Sequence, residues 1–361
     1  MNKHPSPDQM PRRRQQLLFV ETDFKICGSI TSIDKLRSHL QTAIEIEHST
    51  IPTYLCALYS INAQSNSFAY QTIQSIVMEE MLHMILAANI LNAIGGSPAI
   101  NKPEFIPEYP TYLPHSDKAF LVPLQKLSKD TLTIFLDIEK PKKRLAPPEA
   151  DNYKTIGQFY DAIKHALRYF DFITPGGIFT GKKERQVSSH HYYGGGGKLI
   201  PIFGLSDAIE AINEIIGQGE GMNGSIIDPD HKFFDEEIEY AHYFRFNEIM
   251  LARRYQPTDA PQDPPSGSPV QVNWDDVLNM QPNPKMKDYP KGSELWNKTY
   301  EFNRTYITLL TSIHDACNGN PELLMKAIPL MYDLKYKALD LMNTPIGNGK
   351  TAGPSFEYVP L

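Results

Sequence analysis

Between residues 33 and 62 apolar side chains fall at Leu36, Leu40, Ile44, Ile51, Tyr54 and Leu58, and the spacing of three, four and seven predicts one buried face of a helix. Ser32 or Asp34 is placed to cap it. A polar break, NAQSNS, precedes a second periodic run from about Tyr70 to Ile94, which GGSP closes, so an antiparallel helix pair is expected. From Pro98 to Pro148 prolines recur; TLTIFLDI reads as a short strand in an irregular excursion, and TIGQFYDAIKHALRYF as a helix. SSHHYYGGGGKLI is a loop without a phosphate-cradle pattern. Helices are expected from Ser206 to Glu220 and from Phe233 to Tyr255, a proline-rich wrap or linker over 256–291, and helical runs over 293–317 and 321–343. The pairs 33–94 and 206–255 read as two halves of one bundle. The expected fold class is all-α.

The same periodicity singles out charged residues on apolar faces. With about 100° per residue, the stripe of the first helix spans about 80° and includes Glu47, whereas Glu45 points away. In the second, Ile73, Val77, Met84, Ala87 and Leu91 form the stripe, Glu80 lies at its centre and His83 at its edge; Glu79 is rotated by about 100°. Ile209, Ile212 and Ile216 lead to Glu220, with Glu214 the alternative on that helix. Glu239 and His242 stand at i and i+3 in line with Phe246 and Met250. The result is Glu, Glu-x-x-His, Glu, Glu-x-x-His on four helices.

Four carboxylates in an apolar interior lose their hydration and call for positive charge among them. Two divalent cations bridged by carboxylates, with one histidine each, meet that need, and this donor set is that of carboxylate-bridged di-metal bundles. Carboxylate and imidazole donors suit iron, with manganese the alternative, and the lack of cysteine donors argues against structural zinc. His48, His165, His190, His191, His231 and His314 have no such company and read as loop or core histidines.

Composition narrows the remaining choices. The chain has 361 residues, 41% of them hydrophobic, enough for a large core, and its net charge of -7 is spread without long blocks. That excludes a nucleic-acid footprint and a polybasic membrane anchor, and leaves a small-molecule substrate and a small homo-oligomer as expected partners. Cys27, Cys56 and Cys317 have no metal-type or redox-type spacing and read as free thiols. The opening residues have basic side chains but no apolar run behind them, and no stretch reads as a membrane span of ~20 apolar residues, so a cytoplasmic protein is expected.

The segments LQTAIEIEHSTIPTYLCALYSI, VMEEMLHMILAANILNAIGGSP, INEIIGQGEG and EIEYAHYFRFNEI resemble the ferritin-like domain of iminophenylpyruvate dimer synthases, enzymes of violacein and rebeccamycin biosynthesis, and the tail TAGPSFEYVP is similar too. The resemblance covers most of residues 30–255 and implies a ferritin-like four-helix bundle in a shorter, stand-alone homologue, with an N-terminal extension over 1–29, an irregular insertion over 98–200 and extra C-terminal helices over 292–361. It implies metal ligation by Glu47, Glu80, His83, Glu220, Glu239 and His242. Glu47 followed by Tyr54 matches the first-helix pattern of ferritin-like proteins, and Tyr54 and Glu79 are the candidate catalytic residues beside the ligands. The expected function is a di-iron oxidoreductase that uses dioxygen or a peroxide on a small amino-acid-derived metabolite. Oxidative coupling of an imino acid and iron storage are the alternatives; the long proline-rich excursions suit a covered pocket better than a storage shell.

Overall fold

The structure is a computed structural model that describes residues 29–143, 145–193, 196–221, 224–228 and 238–361. Two long helices, α1 (Ile33–Ser60) and α2 (Ser67–Ala93), are joined by six residues and therefore run antiparallel. Ser32 caps α1 by accepting the Lys35 amide, and α1 continues unbroken through Pro52. In the core, α2 is buried on nearly every side. It is long and apolar enough to cross a membrane, but 89% of its apolar window lies inside the protein, so it is a core helix, which the sequence pattern alone did not single out.

Four shorter helices complete the surroundings of this pair: α3 (Lys129–Ile138), α4 (Ile156–Ile173), α5 (Leu205–Glu220) and α6 (His242–Leu251). α1 packs on α4, α2 on α5 and α6, α4 on α5, and α3 on α6. α7 (Glu294–Cys317) and α8 (Leu323–Met342) form a second pair that packs on α2 and α1 respectively. The described residues contain one sheet, a hairpin of β1 (Pro345–Gly347) and β2 (Lys350–Thr351) with Pro345 opposite Thr351. The fold is all-α.

Two expectations change. TLTIFLDI is helical: Ser128 caps α3 by accepting the Thr131 amide, and Leu132, Phe135 and Ile138, three apart, form its buried side. β-branched residues suggested a strand, but capping and tertiary burial override so weak a propensity. At the other end of the bundle, the helix expected to begin at Phe233 begins at His242. Residues 229–237 lie outside the described residues, and Tyr240 is extended, bridged antiparallel to Ile227.

Residues 256–291 wrap the bundle through backbone hydrogen bonds, with Leu278 N–H donating to Ser60 O at 2.8 Å, Asn283 N–H to Leu124 O at 2.8 Å and Gln281 N–H to Thr351 O at 2.8 Å. Cys56 and Cys317 are buried free thiols, and Cys27 lies outside the described residues. His48 is a core histidine: Tyr306 Oη lies 2.7 Å from its Nε2, and burial pushes its pKa down to about 3. His231 is outside the described residues.

Candidate metal centre

α1 and α2 bring Glu47, Glu80 and His83 together, all buried. Glu47 Oε2 lies 3.5 Å and Glu80 Oε1 3.9 Å from His83 Nδ1. On the other side of Glu80 stands His242, the first residue of α6, with Nδ1 2.9 Å from Glu80 Oε1 and 3.5 Å from Glu139 Oε2. Two triads result, Glu47/Glu80/His83 and Glu80/Glu139/His242, each with its donor atoms within 4.8 Å of one another. Glu80 belongs to both.

Each histidine is oriented from behind. His83 Nε2 lies 2.7 Å from Gln218 Oε1; a carbonyl oxygen only accepts, so Nε2 carries the proton and Nδ1 presents a lone pair to the cluster. Gln218 is itself held, donating from Nε2 to Gly196 O at 3.1 Å. Gly196 has φ +75°, and a Cβ there would approach the Glu79 amide nitrogen to 3.0 Å, so only glycine lets this loop lie on α2. His242 Nε2 contacts Glu79 Oε2 at 2.7 Å, and Arg245 holds Glu79 in turn, with Nη1 3.0 Å from Oε1 and Nη2 on Oε2.

Glu79, rotated off the stripe and expected beside the ligands, is buried and meets the back of His242. Burial raises its pKa, but the Arg245 guanidinium and His242 outweigh burial and hold the carboxyl at about 2. Replacing Glu79 by glutamine keeps an acceptor but removes the charge that polarises His242. We expect about 10-fold weaker metal binding with helical content unchanged, measured by competition with a chelator of known affinity; unaltered affinity would reject this orienting role.

The carboxylates are clamped by hydroxyls. Tyr160 Oη donates to Glu47 Oε1 at 2.5 Å, Tyr54 Oη to Glu139 Oε1 at 2.5 Å, and Thr50 Oγ1 to Glu80 Oε2 at 2.7 Å. Burial pushes Glu47 up to about 7 against the pull of the Tyr160 hydrogen bond, and burial together with the charge of Glu139 raises Glu80. Burial lowers His83, whereas Glu139, Glu79 and Glu80 overcome the effect of burial and raise His242.

A cavity beside the cluster is lined by Glu47, Glu80, His83, Glu139, Tyr160 and Glu220, with Ile138, Ile156, Ile215 and Ile216 as its apolar wall. Tyr192, Tyr193 and Tyr289 do not line it. Glu220 is buried but belongs to neither triad: its Oε2 accepts the Lys142 amide at 2.8 Å, and Oε1 lies 3.6 Å from Lys142 Nζ. Gly157 makes room for it, since a Cβ at 157 would fall 2.1 Å from Glu220 Oε1. Burial raises the Glu220 carboxyl to about 7 despite Lys142. Glu214 points elsewhere and accepts the Lys198 amide at 2.8 Å.

Glu239 stands outside the cluster. Because the chain is extended at Tyr240, Glu239 and His242 do not share a helical face, and Glu239 Oε1 accepts from Arg245 Nη1 at 2.7 Å. Glu139, at the C-cap of α3, occupies the corresponding place beside His242. The sequence does not mark it, because TLTIFLDI has the β-branched pattern of a strand. On a helix it continues the stripe of Leu132 and Phe135, at i+7 and i+4. Gln218, Tyr160 and Arg245 go unmarked as well; none carries a signal that separates it from ordinary core polarity.

The donor set fits metal ions. Beyond the crowded, buried carboxylates, His242 Nδ1 is buried with no hydrogen-bond partner of acceptable geometry among the described residues, a donor position that a cation would satisfy. Glu47, Glu80, His83, Glu139 and His242 would hold the ions, with Glu220 within the same cavity.

Fold and site together describe a helical bundle around a carboxylate and histidine cluster, and a ferritin-like family profile matches residues 40–251. The chain belongs to the ferritin-like family. It is 23% identical over 315 residues to dichlorochromopyrrolate synthase from Lentzea aerocolonigenes, a match that covers 78% of this chain but 29% of that protein. The crystal structure of a ferritin-like protein from Caulobacter vibrioides superposes with a TM-score of 0.58 at 21% identity, covering 90% of this chain and 99% of that one.

Proposed function

We propose that the protein is a di-metal oxidoreductase that uses dioxygen or a peroxide to oxidise a small amino-acid-derived metabolite, with two iron ions, or manganese in their place, at the cluster. The observation that carries this reading is the pair of triads sharing Glu80. Bound metal ions of this kind would pass electrons between substrate and oxidant. The chain's own residues do the rest. Tyr54, Tyr160 and Thr50 fix three carboxylates, and Glu79 and Gln218 fix both imidazoles, so the donors need little reorganisation. Glu220, with a pKa of about 7 and a place on the cavity wall, is poised to hold or release a proton at its carboxyl oxygens. Ile138, Ile156, Ile215 and Ile216 exclude water and suit an apolar or aromatic group, while Lys140 offers a cation to a substrate carboxylate.

The likeness to dichlorochromopyrrolate synthase supports a second reading, oxidative coupling of such a metabolite, which mass analysis of products separates from simple oxidation. We take the protein to act in the cytoplasm as a small oligomer. Loading with ferrous iron in air tests the main reading. We expect about two irons per chain, by analogy with di-metal bundles, and oxygen uptake stimulated by aromatic amino or imino acids. Hundreds of irons per particle in a large shell would establish storage instead.

A further inference from the structure

A second group of donors lies toward the N-terminal end of α1. His39 precedes Glu47 by eight residues, about 12 Å along the helix, and is only 6% exposed. Its Nδ1 lies 2.7 Å from the Lys35 carbonyl oxygen. That oxygen can only accept, so Nδ1 carries a proton and Nε2 is the ring nitrogen left to bind a cation. His39 Nε2 is buried and has no hydrogen-bond partner among the described residues. It faces Asp151 Oδ1 at 3.7 Å, and Asp151 Oδ1 lies 2.6 Å from His115 Nδ1. All three donor atoms lie within 4.8 Å of one another.

The backbone that presents these groups is strained and cross-linked. His115 has φ +58° and Asn152 φ +60°, in the left-handed region that side chains with a Cβ seldom adopt. Asn152 N–H donates to His115 O at 2.7 Å, Asp117 N–H donates to Tyr153 O at 3.0 Å, and Ser116 bridges Tyr153 in parallel. The two loops therefore hold His115 and Asp151 together in front of His39.

We propose that His39, His115 and Asp151 bind a divalent transition cation of the zinc class, at a site separate from the Glu80 cluster and independent of the function assigned to that cluster. Two imidazoles and one carboxylate are three protein ligands for such a cation and a poor set for calcium or magnesium. Ligands about 2.1 Å from a tetrahedral ion lie roughly 3.4 Å apart, so His39 and Asp151 already stand near the required separation. His115 and Asp151 must part slightly, and the proton of their hydrogen bond leaves as the cation enters between them. Half-exposed His115 and Asp151 leave the fourth position open to water. The Lys35 carbonyl fixes the His39 tautomer, as carbonyls behind metal-bound imidazoles do. Such an ion would tie α1 to the loops at 115 and 151 and brace Phe159, whose ring lies 6.1 Å from that of His39, next to the Tyr160 that clamps Glu47.

Equilibrium dialysis of the full chain against Zn2+ tests this, comparing wild type with His115→Ala and Asp151→Asn, both at partly exposed positions. Each variant should bind about one zinc fewer per chain than wild type. Crystals of the wild-type protein soaked in zinc chloride should show an anomalous peak between His39 Nε2, His115 Nδ1 and Asp151 Oδ1. Equal zinc counts in all three proteins, or anomalous density confined to the Glu80 cluster, would overturn the proposal. Should a variant fail to fold, the wild-type anomalous map alone decides.

Discussion

Glu80→Ala should empty both metal positions at once, leaving well under half of the wild-type metal content, whereas Glu47→Ala and Glu139→Ala should each empty one. The difference follows from geometry: Glu80 is the one residue common to both triads. Its Oε1 faces His83 at 3.9 Å and His242 at 2.9 Å, and its Oε2 is fixed by Thr50. Without that carboxylate each position keeps one glutamate and one histidine, too few donors to compete with water, and the bridging charge between the ions is lost. Atomic absorption on the three purified variants gives the answer. Loss of a single ion from Glu80→Ala would show that the triads fill independently.

Stripping the metal should make the protein most stable near pH 5 and weaken it toward neutrality. The carboxyls of Glu47 and Glu220 titrate at about 7 in the folded chain against an ordinary 4.5, and Glu80 is raised as well. Between those values the folded state binds more protons than the unfolded state, so stability falls as pH rises. Each such carboxyl costs up to about 3 kcal/mol at neutral pH, and less when neighbouring groups relax or share protons. His242, raised above its ordinary 6.5, acts in the same direction; lowered His83 opposes it near that pH. Below pH 4.5 the trend reverses, because Glu79 is held at about 2 and its protonation costs stability. Thermal melts of the chelated protein should fall by on the order of 5 °C between pH 5 and 7.5, and metal should abolish the fall by taking the place of the protons. A flat melting curve without metal would mean that the carboxyls are hydrated.

Much of the fold is legible in the sequence because α1, α2, α4, α5, α7 and α8 bury apolar stripes at helical spacing. That regularity also places Glu47, Glu80, His83 and Glu220 on the inward faces they occupy, and Glu214 outside. It fails where the chain leaves the helical period. Tyr240 is held extended by Ile227, so counting three residues back from His242 reaches Glu239, which Arg245 captures. Glu139 is a case of competing signals: Thr131, Thr133, Ile134 and Ile138 favour a strand locally, and the hydroxyl of Ser128 decides for a helix. Partners such as Gln218 and Gly196 come from distant segments, and no single-helix pattern announces them.

A rod that is oily all the way round has no wet side to tell it which way to face. α2 is nearly such a rod, and its packing alone would accept several rotations about its own axis. Glu79 and Glu80, about 100° apart, remove that freedom: one must meet the guanidinium of Arg245, the other the hydroxyl of Thr50, and no other rotation serves both. Asn89 locks the far end by donating to Val187 O at 2.8 Å. The adjacent glutamates therefore act as a compass for the central helix, and the place of the carboxylate and histidine cluster is set by the same two residues that aim it.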